Sequence, residues 1–552
     1  MKNRILVAVI GLLIVLAGCE RDDNHTVTDL ENLAKAVIIQ HENLEDRVSI
    51  ANAGVVATRS IASEVSLVRL KSVSLDDEDL VSDLPLVLIA EVAAPEFEGN
   101  VLRATHVVVS GNYAYVSYNF EEEPYLGAVD VIDISDPYMP QLAVQAIFPD
   151  MDISSLYLQD QTLYLAGANK LLHEDGTNPA VLIKMNLDQG FLTDEVTLVD
   201  MPGYVGTGVI AGENSYYGVS GDNGVLASFS KSGDVLEASI NLADLRDVGM
   251  TDNRLVVLSG TEGIHIFDAA TLSPVRNFDT SQDVKDAKRT IDFYAGNVLA
   301  AEGFHGVGIY DLTSGDRRNT IPLVGAEGLD VDPNEVVSNA VSVNEGHIFV
   351  ANGAAGVGVL TMKDGEVDQL VDFVSLALPG SANYVKSAGE YIFVADGFGG
   401  LQILKMVTVE EETAIRCEEY PEYDGKKNLT VNSGEELAYS SSASLDKVEV
   451  NASLVWCGAL SVSQHLVVNT GGTFTMIGSL AQGAKNQDLI VNGSGTLRIE
   501  GSLVVYGDLV LNSNSTLEFM GSGSSITVYG EVRKGDNVNI IGNFTDTNNS
   551  LN

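Results

Sequence analysis

The chain has 552 residues, enough for about three or four average domains, and at 45% hydrophobic and 20% charged it has a globular rather than a disordered composition. It carries 77 acidic against 31 basic residues, a net charge of −46. Such a surface repels phosphate backbones and anionic lipid alike, which excludes nucleic acid as a partner and membrane docking by charge alone.

The N-terminus has the three parts of an export signal over residues 1–18. Lys2 and Arg4 give a positive start, Ile5 to Leu16 are apolar, and small residues Ala17 and Gly18 precede Cys19. The apolar run is shorter than the roughly 20 residues a membrane-spanning helix needs. Leu16-Ala17-Gly18-Cys19 resembles the lipobox of bacterial lipoproteins. That resemblance implies cleavage before Cys19 and a lipid anchor on it, so the membrane is met through the lipid. The following Glu20-Arg21-Asp22-Asp23 resembles the acidic export tag of Bacteroidetes surface lipoproteins, which implies an outer-membrane protein displayed outward rather than toward the periplasm. Residues 19–83 read as an acidic tether. Within it Leu30, Leu33, Ala36 and Val37 recur at helical spacing, which suggests a short helix or coil over 27–50.

From 84 to 408 the chain repeats itself. The runs YIFVADGFGGLQIL at 391–404, IFVANGAAGVGVL at 348–360, VLAAEGFHGVGIY at 298–310 and VVLSGTEGIHIF at 256–267 share one plan: apolar strand, Gly-rich turn, apolar strand. Counting the small residue that ends the first strand gives Ser117, Ala166, Ser220, Ser259, Ala301, Ala351 and Ala395, spaced by 39 to 54 residues. Four short strands with their turns need that length, so the pattern predicts a seven-bladed β-propeller. No helix-length segments separate the strands, which excludes parallel α/β folds. The last unit lacks an outermost strand, and the segment at 84–92 is a spare one. The pattern therefore predicts that it closes the ring and protects an open edge. The GAVDVIDISDP run at 127–137 resembles the LVIVD-repeat family of β-propellers. The likeness spans roughly 320 residues, loosely in blades two and three. It implies the fold and leaves the activity open, because the family is not tied to one.

Residues 409–552 change texture. Short apolar runs such as Leu460, Leu466, Leu489, Leu497, Leu503, Leu509, Leu517 and Ile526 with their neighbours are separated by Asn, Gly and Ser. Stacked coils with an inward apolar row would look like this, so a small β-helix-like domain is expected, with a β-sandwich as the alternative. Cys417 and Cys457 fall here. They fit one disulfide stapling the start of this module, or two separated thiols.

Candidate chemistry is sparse. None of the eight histidines forms a metal-binding helix motif, and His265 with His305 in neighbouring repeats is the closest pairing. No nucleophile elbow or phosphate loop occurs, so neither a catalytic residue nor an enzyme activity is expected. Asp330, Asp332, Asn334 and Glu335 gather oxygen ligands as calcium sites do, but they lack the sixth-position Gly and the distal Glu. A solvated inter-blade loop is the simpler reading, and no other cofactor is indicated. The acidic run at 121–123 and aromatic Tyr125, Tyr138, Phe304 and Phe398 fall in loops, where stacked sugars would find rings. The sum is a lipid-anchored envelope protein whose propeller recognises or scaffolds a protein or glycan. The alternatives are a structural subunit of an envelope complex and, further off, a polysaccharide hydrolase or lyase.

Overall fold

The computed structural model describes residues 36–40, 44–60, 81–120, 124–170, 178–221, 223–281, 287–323, 329–344, 346–376 and 378–551. The export signal, Cys19, the acidic tag and the run at 121–123 lie outside these residues. Seven antiparallel sheets form the first body, each built on four strands, in sequence order in all but the last. Their innermost strands are Arg103–Ser110, Met151–Gln159, Gly206–Ala211, Leu245–Thr251, Ile291–Tyr294, Ala340–Asn344 and Tyr384–Ala388. Each neighbours the next and the seventh neighbours the first, closing a seven-bladed ring.

Burial explains the strand chemistry. Second strands are enclosed on both faces because a blade sits between two others: Tyr113–Asn119 and Asn297–Ala301 are buried almost throughout. Outermost strands such as Leu236–Asn241 and Pro274–Phe278 face solvent along most of their length. The middle of a blade is therefore buried on both faces rather than alternating between core and solvent. In blades 5, 6 and 7 the second strand ends in a turn whose first and fourth glycines, Gly303 and Gly306, Gly353 and Gly356, Gly397 and Gly400, all take φ between 57° and 79°. The first glycine of each turn bridges the next blade, at Ser338, Ala382 and Ala104 respectively. The repeated glycines thus join blades as well as turn the chain.

Strand Leu86–Val92 pairs antiparallel with Leu401–Met406 and becomes the outer strand of blade 7, as expected from the sequence. The tether is a different matter. Among its described residues, 36–40 and 44–60, it forms no helix beyond the 3-10 turn Glu45–Arg47 but lies along three blades. Val37–Gln40 extends blade 1 beside Gln141–Phe148, Val48–Ser49 and Gly54–Val55 cover Leu86–Val92, and Arg59–Ser60 adds to blade 6. These short pieces bind open sheet edges, which supply the backbone partners that local sequence cannot.

The second body is a parallel β-solenoid, which excludes the sandwich. One sheet runs Asn428–Val431, Lys447–Val450, Leu466–Val468, Leu489–Val491, Leu509–Leu511, Val532–Lys534. The facing sheet is built on Ser453–Val462, Thr473–Gln482 and Thr496–Val505. Register stacks like on like: Val448, Leu466, Leu489 and Leu509 form one inward row, and Trp456, Met476, Ile499 and Phe519 another. Asn469, Asn492 and Asn512 each donate their side-chain N–H to the asparagine one coil earlier at 2.8 to 2.9 Å, fixing a corner. Cys417, at the end of helix Glu411–Cys417, is disulfide-bonded to Cys457, with Cα atoms 5.2 Å apart.

The two bodies touch along the seam the tether covers. The Val55 N–H donates to Gly483 O (2.8 Å), Lys427 Nζ to Thr58 O (2.7 Å) and the Ser444 N–H to Ser82 O (2.7 Å). Ala481 and Tyr506 pack into the core shared by blades 7 and 1.

Candidate functional site

Each blade is an antiparallel meander, so the turn between its second and third strands and the connection to the next blade emerge on one face. The other turns emerge opposite. Two features on this frame are candidates: the channel lined by the innermost strands, and the face carrying the Gly-x-x-Gly turns.

In blades 1 to 4 the first strand carries a bulge at the same place, followed by His106, Ser155, Gly208 and Asp247. The bulges turn these residues toward the adjacent blade. His106 Nδ1 lies 2.9 Å from Ser155 Oγ, and its ring sits against Tyr384 of blade 7 with centroids 3.7 Å apart. Asp247 accepts the Ile291 N–H of blade 5 (2.9 Å) and the Val248 N–H (2.8 Å). Asp292 likewise accepts the Val343 N–H of blade 6 (2.9 Å) and the Phe293 N–H (2.8 Å). Lys288, just before the first strand of blade 5, crosses the channel. Its Nζ donates to Thr105 O (2.6 Å) in blade 1 and Ser154 O (2.8 Å) in blade 2, and lies 5.3 Å from the Tyr384 ring centroid. In a seven-membered ring blade 5 stands opposite the seam of blades 1 and 2, so Lys288 bolts the two sides together.

The electrostatics follow from this enclosure. Burial lowers the Lys288 ammonium to about 7, against the attraction of Asp247. Burial, then the positive Lys288 and Lys386, holds His106 well below its usual range. Burial raises Asp247 to about 6, opposed by its two backbone N–H donors and by Lys288 and reinforced by Asp292. Tyr384 is raised by burial and by Asp247 and Asp292. Because folded Asp247 keeps its proton to higher pH than the unfolded chain does, its contribution to stability is present below about pH 4 and is lost as pH rises through 6. The stability of the wild type relative to Asp247→Asn should therefore fall by about 1–2 kcal/mol between pH 4 and pH 7. Urea unfolding at both pH values measures it, and a gap independent of pH would contradict the assignment.

The aromatic residues divide in two. Phe304 (47% exposed) and Phe398 (55%) occupy the same place in the turns of blades 5 and 7, and Tyr204 (58%), in the connection from blade 2 to blade 3, emerges on the same face. Tyr125 joins them, its hydroxyl 3.5 Å from that of Tyr204, and the Arg103 guanidinium stacks 4.3 Å from the Phe398 centroid. Tyr138 is elsewhere: its hydroxyl receives Lys405 Nζ (3.1 Å) beside the solenoid. Tyr204 carried no repeat signal, because connections between blades vary in length.

The remaining sequence candidates do not assemble. His265 lies in the third strand of blade 4, 3.7 Å from Glu262, and His305 in the turn of blade 5. Asp330, Asp332, Asn334 and Glu335 lie in the connection from blade 5 to blade 6. Asp332 Oδ1 accepts the N–H (2.9 Å) and side-chain N–H (3.0 Å) of Asn334, capping the 3-10 turn Pro333–Glu335. No group of three His, Cys, Asp or Glu suited to a metal occurs among the described residues.

A family model described as LVIVD repeat matches residues 103–145 and 379–404, which are blade 1 and the inner part of blade 7. No curated protein matches the chain. Among solved structures it is similar to the computationally designed Ika8 protein (12% identity, TM-score 0.36, covering 57% of this chain and 98% of that one). It is also similar to U3-55K (10% identity, TM-score 0.42, covering 57% and 97%). The chain is a seven-bladed propeller carrying LVIVD repeats, continued by a parallel β-solenoid.

Proposed function

We propose that this chain is a lipid-anchored recognition or scaffold protein of the bacterial cell envelope, held by Cys19 in the outer membrane and displayed outward. On this reading the propeller face bearing Phe304, Phe398 and Tyr204 meets a protein or glycan partner. The observation that carries it is the exposure of those three rings, 47 to 58%, on one face of a closed ring. Exposed rings on rigid turns offer contact area at little conformational cost, as binding surfaces do. The channel supports binding at the rim over reaction within, because Lys288, His106, Asp247 and Asp292 are each held by a neighbouring blade. The anchor rests on Leu16-Ala17-Gly18-Cys19 and outward display on the acidic residues after it.

The test uses the tagged mature protein and outer-membrane fractions, with the triple variant Tyr204→Ser, Phe304→Ser, Phe398→Ser as control. Truncating each ring is expected to lose about 1 kcal/mol of binding, so the variant should capture at least tenfold less of the same protein or glycan at unchanged Tm. Equal capture by both would remove this face from the function. Protease shaving of intact cells, with Cys19→Ser alongside, tests display and anchoring separately.

A further inference from the structure

The three Gly-x-x-Gly turns share a buried polar residue at their start, and the structure satisfies it in two blades and not in the third. In blade 5 it is Glu302, fully buried. Its carboxylate receives the Tyr310 hydroxyl, Arg317 Nη2 at 2.8 and 3.0 Å, and the Ser281 N–H at 3.3 Å. In blade 6 it is Asn352, whose Oδ1 receives the Ser338 hydroxyl at 2.9 Å. In blade 7 it is Asp396, fully buried, whose Oδ2 receives the Gly380 N–H at 2.9 Å while Oδ1 has no hydrogen-bond partner among the described residues.

Strand register shows what changed. Ala301 faces Val307 as Ala395 faces Leu401, so Gly308 and Tyr310 of blade 5 correspond to Gln402 and Leu404 of blade 7. On the fourth strand Arg317 and Thr320 correspond to Leu88 and Glu91. Both donors of blade 5 are thus replaced by leucines, and two acceptors arrive. A Cβ at Gly308 would lie 2.6 Å from Glu302 Oε1, and Gln402 holds the corresponding position in blade 7. The Gln402 amide nitrogen donates to Gly399 O (2.8 Å), and Gly399 itself lies against Asp396 Oδ2. Gln402 is 1% exposed and its Oε1, too, is buried without a hydrogen-bond partner among the described residues. Two enclosed oxygens without a donor leave a large desolvation penalty unmet.

We propose that blade 7 holds a hard cation of the calcium class between Asp396 and Gln402, with Glu91 adding negative charge nearby. Carboxylate, amide carbonyl and water are the ligands such an ion takes, and the ion replaces the arginine that serves blade 5. Without it, burial and the neighbouring Glu91 raise Asp396 to about 7. A proton is then the competing occupant, and acid rather than calcium would favour the folded state.

Equilibrium dialysis of the full mature chain against calcium decides between them. Surface carboxylates bind weakly in every variant and cancel in the difference. The wild type is expected to hold one ion more per chain than Asp396→Asn or Gln402→Leu. Millimolar calcium over EDTA should raise the wild-type Tm by about 3 °C more than that of either variant. Equal ion counts, together with a wild-type Tm that rises as pH falls from 7 to 4 but ignores calcium, would overturn the site. If Asp396→Asn does not fold, Gln402→Leu carries the same comparison.

Discussion

Replacing Arg47 with alanine is expected to destabilise the propeller by about 3–5 kcal/mol. Arg47 belongs to the tether, yet its guanidinium reaches Asp130 in blade 1 at 2.6 Å (Nη2) and 3.2 Å (Nη1), and Ala93 O at 2.6 and 2.9 Å from Nη2 and Nε. Asp130 is fully buried, with Gln145 Nε2 at 3.0 Å as its other side-chain donor. Without the arginine a carboxylate remains inside the sheet facing one neutral amide. The loss should appear as a lower urea midpoint for the ring, and Asp130→Asn in the same chain should restore part of it, since the two residues act as a pair. A loss under about 1 kcal/mol would show that the tether decorates the ring rather than locking it.

The second large effect belongs to the solenoid. Cys417 and Cys457 are 40 residues apart in sequence, so removing their bond frees a loop of that length in the unfolded chain and costs about 4 kcal/mol. Cys417 ends the helix Glu411–Cys417, which packs on the strand holding Cys457 at the first coils of the solenoid. The chain has one tryptophan, Trp456, fully buried next to Cys457 with Nε1 donating to Ser441 O at 3.1 Å. Its fluorescence therefore reports the solenoid alone. The Cys417→Ser, Cys457→Ser protein should show an earlier Trp456 transition in urea while the transition of the ring, followed by far-ultraviolet circular dichroism, keeps its midpoint. Coincident shifts of both would mean that the two bodies unfold as one.

Periodicity made the ring legible. The Gly-x-x-Gly turns recur because a left-handed backbone there admits few other residues, and the spare strand before residue 93 was visible as a missing count. The solenoid showed through its Leu-x-Val runs, since stacked coils place the same residue type in each inward row. The tether strands were hidden: Val48–Ser49, Gly54–Val55 and Arg59–Ser60 are two residues each, and their conformation comes from edges far along the chain. The channel was hidden for a related reason. His106, Asp247, Asp292 and Lys288 have no common spacing or residue type, and only ring closure brings blade 5 opposite blades 1 and 2. Asp332 serves a turn, because clustered acids accept nearby backbone N–H groups, here that of Asn334. Asp396 and Gln402 were within the clearest repeat, but their significance lies in a contrast with Arg317 and Tyr310 that register alone reveals.

The closing strand also fixes the order in which the molecule can form. Leu86–Val92 finds its partner at Leu401–Met406, more than 300 residues later, and Arg59–Ser60 finds its own in Glu366–Leu376. A chain that emerges from the ribosome N-terminus first therefore presents its earliest strands long before anything exists to receive them. Such distant pairings are slow to form because the intervening loop must close first. Blades 1 to 5 can build by local hairpins as they appear, whereas the ring and its outer wrapping must wait for blade 7. Until then the exposed early strands are the segment most in need of a chaperone.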